Sequence, residues 1–392
     1  MTQLRIAVLA DCLEEGWPSM DLVADRLVAA LRARATGIDP LLVRPAMHRR
    51  VSRLPGCGRH PRAVLLDRLA TRYVDYPLWL KRRRPDAAAY HVIDHSYAHL
   101  LQRLPAARTI VTCHDLDAFA PVLGGDRVHP GLFRRLVAST LRGLQSAARV
   151  VCVSDAVRDE LATRGIVPLA RLRVVPNGVD AMSSREVTPA ADAQAERLLG
   201  RSAAGRPTLL HVGSAIPRKR IDVLLRAFAE VVRERPSARL VRVGGLTDEQ
   251  RRLATELGIR DRVEETPFVD RDVLEAIYRR ADVTLLTSDG EGFGLPVLES
   301  LAAGVPVVAT DLPALRQTGG DAAVYCRRGD AGAFARAALA LVDERHGDRR
   351  QRGLERAARF TWAACAERME AIYREVVGNT ERPHDPLPDA GS

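Results

Sequence analysis

Runs that are apolar from end to end, each followed by a helical period, occur twice over in this chain, and that alternation leaves few folds open to it. Leu4–Ala10, Tyr90–Ile93, Thr109–Cys113, Arg149–Val153 and Leu172–Val175 read as short buried strands. Between them, Asp21–Arg34 carries apolar residues at 22, 23, 27, 28 and 31, one face of a helix, and Leu132–Ser146 is also helical. Ser154 stands as the N-cap of a helix over Asp155–Thr163. Residues 40–85 show no clear period and read as several basic loops. Pro176-Asn-Gly178 is a turn signal, and a polar, alanine-rich stretch follows it to Gly205. The alternation then restarts. Thr208–Val212, Ala238–Val243, Val283–Thr287 and Val305–Ala309 read as strands. Asp222–Arg235, Thr247–Leu257, Asp272–Arg280, Pro296–Ala303 and Ala331–Asp343 read as helices, and Trp362–Val377 is the last. Strands buried on both faces need helices on both faces, so the expectation is α/β, with parallel sheets.

A length of 392 residues suits two domains, and 46% hydrophobic residues can supply a core to each. No apolar run approaches the ~18 residues of a membrane span. Residues 1–10 hold no signal-peptide pattern. Cysteines 12, 57, 113, 152, 326 and 365 are scattered without metal or disulfide spacing, which points to a reducing cytoplasm. The charge divides unevenly. Residues 1–180 carry 27 Lys and Arg against 17 Asp and Glu, whereas residues 181–392 carry 32 of each. Within the basic half, Lys81-Arg-Arg-Arg84 directly follows Tyr76-Pro-Leu-Trp-Leu80. Such a run either seats the protein on an anionic membrane surface or is a solvated basic loop. Nucleic acid is not expected as a partner: aromatic residues are 4% and no binding motif is present.

Three stretches carry chemistry. In Glu291-Gly-Phe-Gly-Leu-Pro-Val-Leu-Glu299, glycines allow a tight turn and Pro296 suits a helix start, so amides and a positive helix end gather between two carboxylates. This is a frame for a polar, phosphorylated ligand. His211-Val-Gly213 ends a strand, and its loop runs to Pro217-Arg-Lys-Arg220. A glycine there permits close approach, and the adjacent cations Arg218 and Lys219 can neutralise a diphosphate. The Gly-x-Gly-x-x-Gly dinucleotide spacing is absent. His114 stands at the carboxyl end of Thr109–Cys113, with Asp115 placed to orient its ring. His91, His95 and His99 share a spacing of four, but no carboxylate pattern accompanies them, and no metal is expected.

These pieces come in a familiar order. His114-Asp115, Val174-Val-Pro-Asn-Gly-Val-Asp180, His211-Val-Gly-Ser214 with Arg218-Lys219, the Glu291–Glu299 stretch, Leu312-Pro-Ala-Leu-Arg316 and Gly320-Asp-Ala-Ala323 together resemble retaining glycosyltransferases of the GT-B fold, family 4, the group 1 type. The resemblance implies two Rossmann-like doubly wound domains facing a cleft. It implies an acceptor domain over residues 1–180, a linker over 181–206, a nucleotide-sugar donor domain over 207–360, a C-terminal helix over 361–378 packing back on the first domain, and a disordered tail over 379–392.

It also assigns roles. Arg218 and Lys219 would clamp the donor diphosphate, Glu299 would hold the ribose, and Glu291 the transferred sugar. The backbone of Gly213, Phe293, Gly294 and Leu295 would line the donor, and the base would lie by Phe268. His114 would meet the sugar. Catalysis would thus rest on His114, Glu291, Arg218 and Lys219, with a nucleoside-diphosphate sugar as co-substrate and no cofactor. The acceptor would be a glycan or a lipid-linked molecule. One departure stands out: many relatives carry Gly-Gly after the first strand, whereas Asp11–Met20 keeps only Gly16, and Trp17 offers a stacking face for an acceptor instead. Two other readings fit the same motifs, a GT-B nucleotide-sugar epimerase and an inactive sugar-nucleotide-binding protein at a membrane.

Overall fold

Each apolar run pairs its backbone with the next through a helical crossover, which gives two parallel sheets. The computed structural model describes residues 3–54, 56, 60–124, 130–182, 188–199, 206–344 and 347–381. They form two units, Met1–Pro176 with Trp362–Ser392, and Asn177–Thr361.

In the first unit the strands are β1 (Leu4–Leu9), β2 (Ile38–Val43), β3 (Ala89–Val92), β4 (Thr109–Cys113), β5 (Arg149–Cys152) and β6 (Leu172–Val174). Their order is β2-β1-β3-β4-β5-β6, and every neighbouring pair is parallel. The order reverses between β1 and β3, so a crevice opens at their carboxyl ends. β2 is an edge strand with Pro40 opposite Ile6, and an edge tolerates a residue that cannot donate to the ladder. The stretch expected as basic loops is largely helical. Pro61–Ala70, a π-type turn over Thr71–Asp75 and Tyr76–Arg83 form a continuous run. The Tyr76 hydroxyl fastens that run to the strand ends, 3.3 Å from both the Ala10 and Val43 carbonyls. Helix Trp362–Glu381 returns to this unit. Its Tyr373 hydroxyl meets His91 Nδ1 at 2.8 Å, Glu375 accepts from Arg149 and Arg173 at 2.7 Å each, and Glu370 accepts from Thr36 at 2.7 Å.

The second unit contains β7 (Thr208–Val212), β8 (Arg239–Val243), β9 (Val263–Thr266), β10 (Val283–Leu286), β11 (Val307–Thr310) and β12 (Val324–Cys326). Their order is β12-β11-β10-β7-β8-β9, again parallel, with the reversal between β7 and β10. Leu209, Leu224, Phe228, Leu240, Leu285 and Phe334 are fully buried in its core, each contributing about 1.5–3 kcal/mol. The stretch expected as a linker differs from that reading. Residues Pro189–Leu199 are a helix of this unit, burying Ala191, Ala195 and Leu199, and Asp192 pairs with Arg280 at 2.7 Å. An i, i+4, i+8 stripe built from alanines is a helix face that composition alone reads as polar filler. The expected disordered tail lies mostly outside the described residues, although the last helix runs on to Glu381.

Candidate functional site

At the second unit's reversal point, the loops that follow β7 and β10 are stitched to each other. Asp289 N–H donates to the Arg218 carbonyl at 2.8 Å, and the Thr287 hydroxyl donates to the Lys219 and Arg220 carbonyls at 3.1 Å each. Arg220 forks onto Asp222 at 2.9 Å and reaches Asp289 at 3.0 Å. This anchoring holds Arg220 at a φ of 46°, a strained value for a side-chain-bearing residue. Arg218 and Lys219 are thereby set on a fixed turn. Arg218 Nη1 donates to the Gly290 carbonyl at 3.1 Å. Lys219 Nζ lies 2.6 Å from Glu291 Oε1, which also accepts from the Ser288 hydroxyl at 2.6 Å. The pair is nearly buried, with side chains 13% and 7% exposed. Burial raises the Glu291 pKa, but the Lys219 and Arg218 charges and the two hydrogen bonds outweigh it and hold the carboxyl below its usual range.

Glu291 leads into helix Leu295–Ala302 through Gly294, whose φ of 92° serves as the cap. That φ favours glycine, and a Cβ there would also press on Leu315 Cδ2 at 2.4 Å. Glu299, one turn inside, is buried, and both of its oxygens are engaged. Arg271 donates to Oε1 and the Tyr278 hydroxyl to Oε2 at 2.9 Å. Any ribose hydroxyl would therefore use the remaining lone pairs. Phe293 is buried edge-on against Phe360, and its carbonyl accepts from Thr318 at 2.6 Å. Phe268 is 46% exposed on the loop after β9. Arg271, Tyr278 and Ser288 escape sequence reasoning, since no spacing marks them, and Arg220, next to Arg218 and Lys219, is given no role there. For Lys219 a signal exists: only Lys81 and Lys219 are lysines among 59 Lys and Arg residues.

The crevice of the first unit gathers acids and histidines. Asp11 follows β1, Asp94 and His95 follow β3, and His114 follows β4. His114 Nε2 meets the Ile93 carbonyl at 2.9 Å, so Nε2 carries the proton and the ring is fixed by backbone. Asp115, expected to orient it, has Oδ1 3.7 Å from His95 Nε2, and its charge also acts on His114. Burial pushes the His114 pKa down, against the Asp94 charge, so the ring is neutral at neutral pH. Asp11 is 3% exposed, and neither of its carboxyl oxygens has a hydrogen-bond donor. Burial, then the nearby Asp94 charge, drives its pKa well above the carboxylate range. Asp94 moves the other way: burial is outweighed by His95 and Arg72. The surroundings thus favour the protonated form of Asp11 and the ionised form of Asp94. Arg72 lies over the Tyr97 ring at 4.2 Å and 3.8 Å from Glu15. Glu15 in turn accepts from the Tyr97 hydroxyl at 2.8 Å. Gly16 closes the short helical turn Leu13–Glu15 with a φ of 74°, and Trp17 is 43% exposed.

The other expectations sort plainly. His91 bonds Tyr373 and Thr112, and His99 bonds the Arg72 carbonyl. Among the described residues no group of three or more His, Cys, Asp or Glu is placed to hold a metal, and no helix is long and apolar enough to cross a membrane. The residues before the basic run divide differently from the expectation. Tyr76 and Leu80 are core, because the helix turns them inward, while Lys81–Arg84 are exposed. The exposed apolar residues of this run are Leu65, Leu66, Val74 and Leu78.

Two family models match the chain: Glycosyltransferase Family 4 over residues 23–182 and Glycosyl transferases group 1 over residues 206–344. Among curated proteins, the D-inositol 3-phosphate glycosyltransferase of Thermobispora bispora is 34% identical over 283 residues, 67% of this chain and 63% of that protein. The protein of the same name from Nocardia farcinica is 35% identical over 61% of this chain and 52% of its own length. The chain thus spans somewhat less than two thirds of the length of the curated relatives it matches. Among solved structures, sucrose-phosphate synthase from Thermosynechococcus elongatus superposes with a TM-score of 0.73 at 21% identity, covering 96% of this chain and all of that one.

Proposed function

Because the chain belongs to the family 4 glycosyltransferases, the group 1 type with the GT-B fold, we propose that it moves a hexose from a nucleoside-diphosphate sugar to a hydroxyl of a glycan or lipid-linked acceptor, with retention and without a metal. The observation that carries this reading is the nearly buried Lys219–Glu291 pair beside Arg218, at the carboxyl ends of β7 and β10. A diphosphate entering there offers Lys219 a stronger partner. Lys219 and Arg218 then stabilise the charge that builds as the sugar–phosphate bond breaks. Glu291, released from the lysine and still ionised, accepts hydroxyls of the sugar. The acceptor oxygen bonds to the anomeric carbon on the face the diphosphate leaves, and its proton passes to the departing phosphate oxygen. Glu299, buffered by Arg271 and Tyr278, serves the ribose, and Phe268 flanks the base. In the first unit, His114, Trp17 and the Asp11–Asp94 pair are the groups offered to acceptor hydroxyls.

The acceptor-facing unit is the basic one, and the exposed Lys81–Arg84 run with Leu65, Leu66, Val74 and Leu78 supports peripheral docking at the cytoplasmic face of an anionic membrane. Guanosine diphosphate mannose is the first donor to test and uridine diphosphate glucose the second. The experiment is a screen of nucleotide sugars against free sugars, inositol phosphate and lipid-linked acceptors, read as acceptor-dependent nucleotide release and as the anomer formed. Sugar isomerisation without acceptor would establish an epimerase instead. Tight nucleotide binding without any turnover would leave a binding protein.

A further inference from the structure

β8 buries two arginines, Arg239 and Arg242, in an otherwise apolar strand. Arg242 is fully buried, in register between His211 of β7 and Glu265 of β9. Glu265 is committed elsewhere, to Arg251 and Arg260 at 2.9 Å each and to Leu246 N–H at 3.0 Å. Among the described residues no carboxylate lies within 4.0 Å of Arg242, and its Nε and Nη2 have no hydrogen-bond partner. His211 gives no compensation: burial, then the Arg242 and Lys219 charges, push its pKa well down, and it is neutral. Burial lowers the Arg242 pKa to about 10, which still leaves a cation at neutral pH. The Glu265 charge acts on it from a distance and opposes that shift, but a buried cation with no carboxylate in contact is unfavourable and persists where something else requires it.

Its use is at the loop after β7. Arg242 Nη1 donates to the Gly213 carbonyl at 2.7 Å and also to the Val243 carbonyl. The same Gly213 oxygen lies where a Cβ on Gly244 would be, at 2.0 Å, so the β7 turn is pressed against the head of β8. A trans peptide points its C=O and the next N–H in opposite directions. With the Gly213 carbonyl turned in to Arg242, the Ser214 N–H turns away from it, toward the open end of β7. That N–H makes no hydrogen bond among the described residues.

We propose that Arg242 is a positioning residue of the donor site: it locks the Gly213–Ser214 peptide with its N–H presented to the crevice, and it keeps behind that peptide a positive charge which a nucleoside diphosphate neutralises. This rests on the donor-site reading above. The test is calorimetric titration of the full chain with UDP, GDP, uridine and guanosine, in wild type, Arg242→Met and Arg242→Lys, together with thermal unfolding of each without ligand. Methionine keeps an aliphatic stem and removes the charge. Arg242→Met should unfold at an equal or higher temperature, bind the diphosphates about tenfold more weakly, and bind the nucleosides as wild type does. Arg242→Lys, which keeps the charge and loses the fork, should fall between them. A purely structural arginine gives the reverse, a lower unfolding temperature with nucleosides and diphosphates weakened alike, and that result overturns the proposal. Unchanged diphosphate affinity in Arg242→Met overturns it too. Should Arg242→Met not fold, Arg242→Lys decides, and an equal loss for both ligand types sinks the idea. A wild type that binds nucleosides and diphosphates equally removes the donor-site reading itself, and this proposal with it.

Discussion

The two sheets open crevices at the same topological point and fill them with opposite chemistry. Around the second crevice acids meet bases: Lys219 pairs with Glu291, Arg271 with Glu299, and Arg220 bridges Asp222 and Asp289. In the first unit acids crowd together. Asp11 is pushed toward its protonated form and Asp94 toward its ionised form, and no hydrogen-bond partner reaches the Asp11 oxygens. Topology therefore decides where a ligand can bind, and side chains decide which ligand. A crevice whose cations can exchange carboxylate partners suits an anion. One in which Asp11 is pushed toward its neutral form, Asp94 toward its ionised form and the His114 imidazole is neutral suits hydroxyls.

The largest expected effect breaks the second crevice. Lys219→Ala leaves Glu291 nearly buried without its cation and should destabilise by about 3–5 kcal/mol, measured by urea unfolding. Where it folds, turnover should drop by about a hundredfold or more. Wild-type stability and turnover together would mean that the pair is incidental. Glu299→Ala comes next. It strands Arg271 and Tyr278 and should cost about 1–3 kcal/mol and raise KM for the donor more than it lowers kcat. An unchanged donor KM would remove Glu299 from the nucleotide site.

Glu291 of one crevice and Asp11 of the other should also answer pH with opposite signs. The folded pKa of Glu291 lies below its unfolded value, so its contribution is present above that unfolded value and is lost as pH falls through the folded one. The folded pKa of Asp11 lies above its unfolded value. The folded chain keeps a proton that the unfolded chain has released, and stability from this group falls as pH rises between the two. Asp11→Asn, whose amide can donate to Asp94, should then raise stability at neutral pH by about 1 kcal/mol and flatten that part of the profile. A loss of stability at neutral pH would show that Asp11 is ionised. The smallest effect concerns the rim. Neutralising Lys81–Arg84 should leave turnover on a soluble acceptor unchanged and reduce cosedimentation with anionic vesicles at low salt, by about 1 kcal/mol per charge. Equal vesicle binding by both forms would detach the basic run from any membrane role.

The same contrast explains what could be read without coordinates. The second crevice was legible because its parts are local. Gly292, Gly294, Pro296 and the two glutamates sit within nine residues, and Arg218 and Lys219 are adjacent. The first was not, since Asp11, Arg72, Asp94 and His114 come from four separate segments and only the sheet order brings them together. Central strands announced themselves by unbroken apolar runs. The edge strand β2, with Pro40 inside it, and the alanine-faced helix Pro189–Leu199 did not, because neither needs the pattern that betrays a fully covered element. Arg242 is a case of the opposite kind: a residue type that argues against a buried strand position, yet one that donates to the Gly213 and Val243 carbonyls there.

The central claim is that the second unit's crevice recognises a diphosphate by exchanging Glu291 for it at Lys219. Its most direct test is calorimetry of the full chain with UDP and GDP, in excess chelator, for wild type and Lys219→Gln. The account predicts that wild type binds at least one of the two, that chelator leaves the affinity unchanged, and that Lys219→Gln weakens it by about tenfold or more. Binding that needs a divalent ion, or that survives Lys219→Gln at full strength, would contradict it.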